Sequence, residues 1–255
     1  MIDIHSHIIP GVDDGAQTEA DSIAMAKAAV DQGIHTIIAT PHHRNGKYDN
    51  DRATINRHVE ILSELFVRQD IPLSVLAGQE VRLNGDMIEE LKNETLLPLH
   101  DTKYLFVEFP SGSVPRYAGQ MLYDIQVAGY TPVIVHPERN AELIQEPNKL
   151  YDFVRKGALT QVTAASVIGK FGKNIQKFSH QLIEANLTHF IATDAHNTTT
   201  RGFCLQEAMQ TIKQQYGNEY YYMFMENSQL LVDNSNVNKM EPFKVKKKKK
   251  FLGLF

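Results

Sequence analysis

The chain has 255 residues, 42% of them hydrophobic and 22% charged, the balance of a folded globular protein. Its single cysteine, Cys204, excludes an internal disulfide and a thiolate metal cluster, so any metal must rely on imidazole and carboxylate. The net charge of −4 is split: residues 244–255 carry six lysines and no acid, leaving an acidic body of about −10 that argues against general nucleic-acid binding.

No run approaches the ~20 apolar residues of a membrane span. Chemistry-bearing residues begin at His5, which leaves no room for a cleavable signal, so a cytoplasmic protein is expected. Asp3–Ile8 alternates as a short strand, and residues i and i+2 of a strand share a face. His5 and His7 therefore lie side by side, half of a divalent-metal site. Asp13-Asp14-Gly15 follows. Thr18 with Asp21 three residues on reads as an N-cap. Ile23, Ala26 and Val30 then recur at helical spacing up to Gly33.

His35–Thr40 is a buried-type strand closed by Pro41 and followed by His42-His43. Asp49–Gln69 is a helix with Ile55, Val59, Leu62 and Phe66 on one face. Leu73–Ala77 is the third strand, ending in Gly78-Gln79-Glu80, and a short helix covers Gly85–Asn93. The fourth strand, Tyr104–Val107, ends at Glu108. Pro115–Gly129 is helical, with Tyr117, Met121, Ile125 and Ala128 inward. The fifth strand, Thr131–Val135, leads into His136-Pro137-Glu138-Arg139. A helix over Pro147–Lys156 precedes a weaker sixth strand, Leu159–Thr163. A helix over Gly172–Ala185 precedes the seventh, His189–Thr193, which leads into Asp194-Ala195-His196. A last helix covers Arg201–Tyr216, and the remainder is less regular.

Seven strands alternating with helices predict one parallel α/β domain over residues 1–233, followed by a flexible basic tail over 234–255. Six of the seven strand ends carry, or lead into, a His, Asp or Glu. Active sites of parallel α/β barrels sit at the carboxyl ends of the strands, so these scattered residues converge. The candidates are His5, His7, Asp14, His42, Glu80, Glu108, His136, Asp194 and His196. Each alone reads equally well as a loop residue; their recurrence at one structural position is the signal. Nine ligands exceed the three or four of one zinc-type site, which implies two or three ions. Of the neighbours His42 and His43, His42 lies nearer the strand end. His35, His58, His100, His180 and His189 fall at strand starts or on helices and read as structural or surface residues.

These segments, with Val107-Glu108-Phe109-Pro110 and Asp194-Ala195-His196-Asn197, resemble the polymerase-and-histidinol-phosphatase (PHP) metallophosphoesterases. More narrowly they resemble the capsule and exopolysaccharide tyrosine-protein phosphatases of Gram-positive bacteria. Pro115-Arg116-Tyr117-Ala118 and the Lys-rich, Phe-ended tail look like the same subgroup, so the resemblance covers essentially the whole chain. It implies a distorted seven-stranded (β/α)7 TIM-like barrel holding three ions. The first would take His5, His7, Glu80 and Asp194; the second Glu80, Glu108 and His136, with Glu80 bridging; the third Asp14, His42 and His196. The family commonly works with manganese, while the donor set itself permits manganese, iron, cobalt or zinc.

Paired ions suit hydrolysis of a phosphate ester. Arginine grips phosphate bidentately, and the resemblance implies this role for Arg139 and Arg201. A phenolate leaving group of pKa about 10 makes a strong general acid less necessary; Asp13 and His43 are weak candidates for one. A cysteine-based phosphatase needs an Arg six residues beyond its Cys, and Gln210 stands there. The expected substrate is the tyrosine-phosphorylated tail of a bacterial kinase regulating capsule or exopolysaccharide synthesis. The alternatives are a PHP phosphoesterase acting on a small molecule such as histidinol phosphate, a nuclease-type phosphoesterase, a metal-dependent amidohydrolase, or a non-catalytic scaffold, which would have lost ligands. The Lys246–Lys250 run with its apolar end suggests peripheral contact with an anionic membrane; a homo-oligomer is also allowed.

Overall fold

The structure, a computed structural model, describes residues 1–246. Its strands are β1 (Ile2–Ser6), β2 (Thr36–Ala39), β3 (His42–His43), β4 (Ser74–Ala77), β5 (Glu80–Arg82), β6 (Tyr104–Glu108), β7 (Thr131–Val135), β8 (Leu159–Thr163) and β9 (Phe190–Ala192). The helices are α1 (Glu19–Asp31), α2 (Arg52–Arg68), α3 (Met87–Lys92), α4 (Ala118–Val127), α5 (Ala141–Gln145), α6 (Asn148–Arg155), α7 (Ala164–Val167), α8 (Lys173–Glu184), α9 (Leu205–Tyr216) and α10 (Asn218–Val232). It is an α/β fold with wholly parallel pairing: one sheet runs β1-β2-β4 and the other β3-β5-β6-β7-β8-β9.

Nine segments stand where seven strands were expected, because the second and third expected strands each resume as a short strand beyond their expected ends, β3 and β5. Pro41, which has no N–H to give a ladder, separates β2 from β3. Gly78 separates β4 from β5 at a close approach: a Cβ there would lie 2.7 Å from Ile38 and 2.9 Å from Leu99. Hydrogen bonds bridge the breaks, from Thr40 N to Ser6 O (2.9 Å), Gly78 N to Ala39 O (2.9 Å) and Glu80 N to Pro41 O (3.0 Å). At the far edge Asp194 N donates to His5 O (2.9 Å) and His7 N to Ala195 O (2.8 Å), so the chain's first strand meets the residues after its last.

Two apolar layers hold the fold. One lies under the helices, where α2 buries Ile55, Val59, Leu62 and Phe66 as their spacing predicts. The other lies between the strands, where Ile4, Ile38, Tyr104, Phe106, Val133 and Phe190 form a plug beneath the strand ends. Leu231 and Val237 finish this plug, and the Tyr104 hydroxyl donates to Ser235 O.

Several expected details differ. In α1 the buried face is Ser22, Met25, Ala26 and Ala29, with Ile23 and Val30 only partly covered. Residues 115–117 form a turn closed by Ala118 N to Pro115 O, so α4 starts later. Tyr117, before the helix, and Ala128, at its C-terminal end, are both exposed. α9 starts at Leu205 because the Asn197 side chain accepts from Thr199 N and Arg201 N and folds residues 197–201 into a turn. The region expected to be irregular contains α10, which begins after Gly217 (φ +87°) and buries Met223, Phe224, Asn227, Ser228 and Leu231. Residues 234–246, expected as the start of a flexible tail, lie along the body: Val237 and Val245 are buried, and Phe243 N donates to Ala185 O. Of the lysine run only Lys246 is within the described residues. Among those residues no helix is long and apolar enough to cross a membrane.

Candidate metal centre

Strand register brings the candidates together. His42 on β3 pairs with Glu80 on β5, and Arg82 on β5 pairs with Glu108 on β6. The edge contact between β1 and residues 194–195 carries His5 and His7 to Asp194. Gly15 allows the next loop to cross β1's end; a Cβ there would lie 2.0 Å from the His7 carbonyl oxygen. His136 (φ +35°) and Asp194 (φ +52°) both sit in the left-handed region, uncommon for residues other than glycine. Such strain persists where the surroundings over-determine it.

The donor atoms form three overlapping groups: His5, His7, Glu80 and Asp194; His7, Asp14, His42 and His196; and His42, Glu80 and Glu108. In the first, His5 Nε2 lies 3.4 Å from Glu80 Oε2 and 3.3 Å from Asp194 Oδ1, and His7 Nε2 lies 3.3 Å from each. Donors ~2.0–2.1 Å from a shared tetrahedral cation stand about 3.3–3.4 Å apart. In the second, Asp14 Oδ1 is 3.4 Å from both His42 Nε2 and His196 Nε2. In the third, His42 Nδ1 is 2.9 Å from Glu80 Oε2 and 3.9 Å from Glu108 Oε2. His136, expected with Glu80 and Glu108, places Nε2 2.6 Å from Glu80 Oε1, and His42 also turns Nδ1 toward both carboxylates. All nine expected residues are thus brought into one cluster. His43 points away from it, toward Asp49.

Glu80 Oε2, Asp194 Oδ1, His196 Nε2 and His42 Nδ1 are buried with no hydrogen-bond partner. His42 Nδ1 approaches Glu80 without the alignment of a hydrogen bond. Orphaned buried donors of this kind are costly unless something charged binds them, and hard carboxylate with imidazole suits a divalent cation. The residues fit a metal.

Neighbouring groups hold the imidazoles in the orientation a metal needs. His5 Nδ1 donates to Gln161 Oε1 (2.9 Å), His7 Nδ1 to Asp13 Oδ2 (2.6 Å) and His196 Nδ1 to Asp194 O (3.0 Å). Each bond places a ring proton on Nδ1 and turns Nε2 toward the cluster. Asp13 therefore orients His7 and also accepts from His42 N and Gly15 N; it is not placed as an acid. Gln161 escaped the sequence reading because it lies inside β8, the one strand whose end carries no ligand-type residue. Arg82 grips Glu108 in a fork of 2.8 and 3.0 Å, and its position two residues after Glu80 on one strand face was an available signal.

Burial opposes charge throughout. Even so, His42 and His5 hold Glu80 well below the usual carboxylate range, and Arg139 and His5 do the same for Asp194. Burial and then the Glu80 charge push Glu108 up to about 7. Burial and then Arg139 bring His136 down to about 4; burial and then His7 bring His196 to about 4. Both rings are neutral lone-pair donors at neutral pH. Against burial, Glu80 and Asp14 raise His42 to about 10.

Arg139 and Arg201 meet on one oxygen, Asp194 Oδ2, at 2.6 and 2.9 Å, leaving Oδ1 to face the imidazoles. Both arginines line a cavity of about 210 Å³ with His42, Glu108, Ser111 and Asn140. Cys204 lies outside the cluster, buried, with its thiol pushed up to about 11 by that burial.

A family model described as capsular polysaccharide synthesis, CpsB/CapC, matches residues 1–233. The chain is 51% identical over 255 residues to the tyrosine-protein phosphatase YwqE of Bacillus subtilis, covering all of both chains. It is 37% identical over 254 residues to the putative tyrosine-protein phosphatase CapC of Staphylococcus aureus, again covering both chains in full. Among solved structures, one from work on YwqE of B. subtilis and CpsB of Streptococcus pneumoniae, described as unique metal-dependent tyrosine phosphatases, superposes with a TM-score of 0.95 at 51% identity. That match covers 97% of this chain and 100% of the other. An organophosphorus hydrolase of Deinococcus radiodurans shares the fold alone, with a TM-score of 0.56 at 12% identity over 90% of this chain and 92% of the other.

Proposed function

The chain belongs to the CpsB/CapC family of capsular polysaccharide synthesis, and from that membership we propose that it is a metal-dependent protein-tyrosine phosphatase. Its substrate is the tyrosine-phosphorylated tail of a bacterial kinase that regulates capsule or exopolysaccharide synthesis. The observation that carries the chemistry is the meeting of orphaned His and carboxylate donors with two arginines on one Asp194 side chain. The metal residues are His5, His7, Asp14, His42, Glu80, Glu108, His136, Asp194 and His196, with Glu80 shared between sets and manganese as the cation. The two sheets act as one distorted seven-stranded barrel, its seam the hydrogen bonds between β1 and residues 194–195.

When bound, divalent ions lower the pKa of water and neutralise phosphoryl charge. The chain's own residues do the rest. Asp194 Oδ2 fixes Arg139 and Arg201 so that their remaining N–H groups meet phosphoryl oxygens in the cavity, a fork–oxyanion geometry. Gln161 and Asp13 keep His5 and His7 in one tautomer. No side chain is assigned to protonate the leaving oxygen, because a phenolate departs readily. Burial and a raised pKa make Cys204 a poor nucleophile.

The test is phosphate release from a tyrosine-phosphorylated kinase tail, a phosphoserine peptide and histidinol phosphate, with manganese and with chelator. Manganese-dependent turnover selective for phosphotyrosine is expected; selectivity for histidinol phosphate would overturn the substrate assignment. Attraction of Lys246–Lys250 to anionic lipid is the companion proposal, placing the enzyme peripherally at the inner face of the membrane. Equal flotation with anionic vesicles by the full chain and by a chain ending at Val245 would refute it.

A further inference from the structure

Resting on the phosphatase reading, we propose that the cavity walled by Tyr48 is the slot for the substrate's aryl ring, and that Tyr48 determines preference for aryl over alkyl phosphate esters. Loop 44–50 is built to present this side chain. Asn45 Oδ1 accepts from Lys47 N (3.0 Å) and Tyr48 N (2.8 Å), turning the chain through Gly46 (φ +89°). Asn50, buried, donates to Val12 O (3.0 Å) and His42 O (2.8 Å), and its carbonyl accepts from Gln79 Nε2. The loop is thereby fastened to β3 and to the segment after β1, the same elements that carry His42 and His7.

Held this way, the half-buried Tyr48 ring lies parallel to the His42 imidazole, with 7° between planes and 6.2 Å between centroids. It walls a cavity of about 500 Å³ whose other lining includes Ala16, Met25, Asp14, His196 and Thr198. This cavity and the smaller arginine-lined one meet across a single cluster: Asp14 and His196 border the first, His42 and Asp194 the second. A phosphoryl group gripped by Arg139 and Arg201 would then direct its ester substituent past His42 toward Tyr48, the ring that stacks on it. Ala16 and Met25 are buried, so Tyr48 supplies the aromatic surface of this cavity, with Lys47 Nζ 4.6 Å from its ring centroid; an aromatic partner favours a flat ring over an aliphatic chain.

The test is binding, measured by calorimetry on the manganese-loaded protein, of phenylphosphonate and methylphosphonate, non-hydrolysable aryl and alkyl probes. Tyr48→Ala is expected to weaken phenylphosphonate binding roughly 2- to 12-fold, the range of an aromatic pair, and to leave methylphosphonate unchanged. Tyr48→Phe is expected to retain wild-type binding of both. In parallel, Tyr48→Ala raises KM for a phosphotyrosine peptide by a similar factor with kcat unchanged. An equal loss for both phosphonates, or no loss for either, would overturn the assignment. Selective loss of phenylphosphonate binding in a protein that does not hydrolyse phosphotyrosine would instead uphold the aryl slot and overturn the phosphatase reading.

Discussion

Replacing Asp13 by Asn isolates what a buried carboxylate contributes to a neighbouring imidazole. Asp13 Oδ2 accepts from His7 Nδ1 (2.6 Å) and His42 N (3.1 Å), and Oδ1 accepts from Gly15 N (2.9 Å). Asparagine has the same shape but one acceptor oxygen for these two sides. If that oxygen faces His7, the new NH2 abuts the Gly15 N–H and leaves a buried donor unpaired, at a cost of about 1–3 kcal/mol. If it faces Gly15, the NH2 drives His7 to the opposite tautomer, and the proton moves to Nε2, the atom 3.3 Å from Glu80 and Asp194. Either way His7 is a poorer donor, and loss of such an outer partner typically weakens metal affinity 10–100-fold. Calorimetric titration of manganese into metal-free wild type and Asp13→Asn measures this, with denaturant melts reporting the stability component. Affinity within twofold of wild type in a folded variant would refute the role given to Asp13.

Glu80→Ala removes a carboxylate that approaches His5, His7, His42 and His136; turnover is expected to fall to background, and a folded variant with normal turnover rules out a shared carboxylate. Cys204→Ser is expected to keep full phosphatase activity, since the thiol is buried outside the cluster; loss of turnover without loss of fold would restore a cysteine mechanism. His189 is buried, and that burial followed by Lys239 holds it down to about 3. The unfolded chain therefore binds its proton first, so its contribution is present above pH ~6.5 and is lost as pH falls toward 3, by up to about 1.4 kcal/mol per unit. His189→Asn, which can keep an acceptor for Thr160 N, is expected to flatten stability against pH between 4 and 6.5 in denaturant melts; an unchanged slope refutes the assignment.

The clustering of the candidate residues was legible because parallel α/β topology concentrates chemistry at one end of every strand. His5 with His7, and Asp194 with His196, could be read from spacing before any contact was known. The hydrogen-bond partners of these residues were harder. Gln161 is an amide in mid-strand and Asp13 sits in a loop, so neither advertises its role; each acts through a hydrogen bond that exists only once β8 or the Gly15 crossing is in place. α10 was hidden for a related reason. Its buried face includes Asn227 and Ser228, which dilute the apolar period, and Asn227 earns its burial by donating to His189 O and Asn238 O and accepting from Asn238 N. The segment from 234 looked like a tail because its polar composition gave no hint that Val237 and Val245 would find apolar cover.

Asp194 joins the fold to the chemistry. Its backbone N–H donates to His5 O at the edge where the first strand meets the last. The residue before it, Thr193, donates through both N–H and hydroxyl to buried Asp3, tying the same edge one step deeper. Its side chain then divides its oxygens, one to two arginines and one to His5 and His7. Asp194 makes both connections from a left-handed backbone (φ +52°). A loosened N-terminal strand therefore disturbs the arginine pair as well as the imidazoles, because all of them register on this one residue.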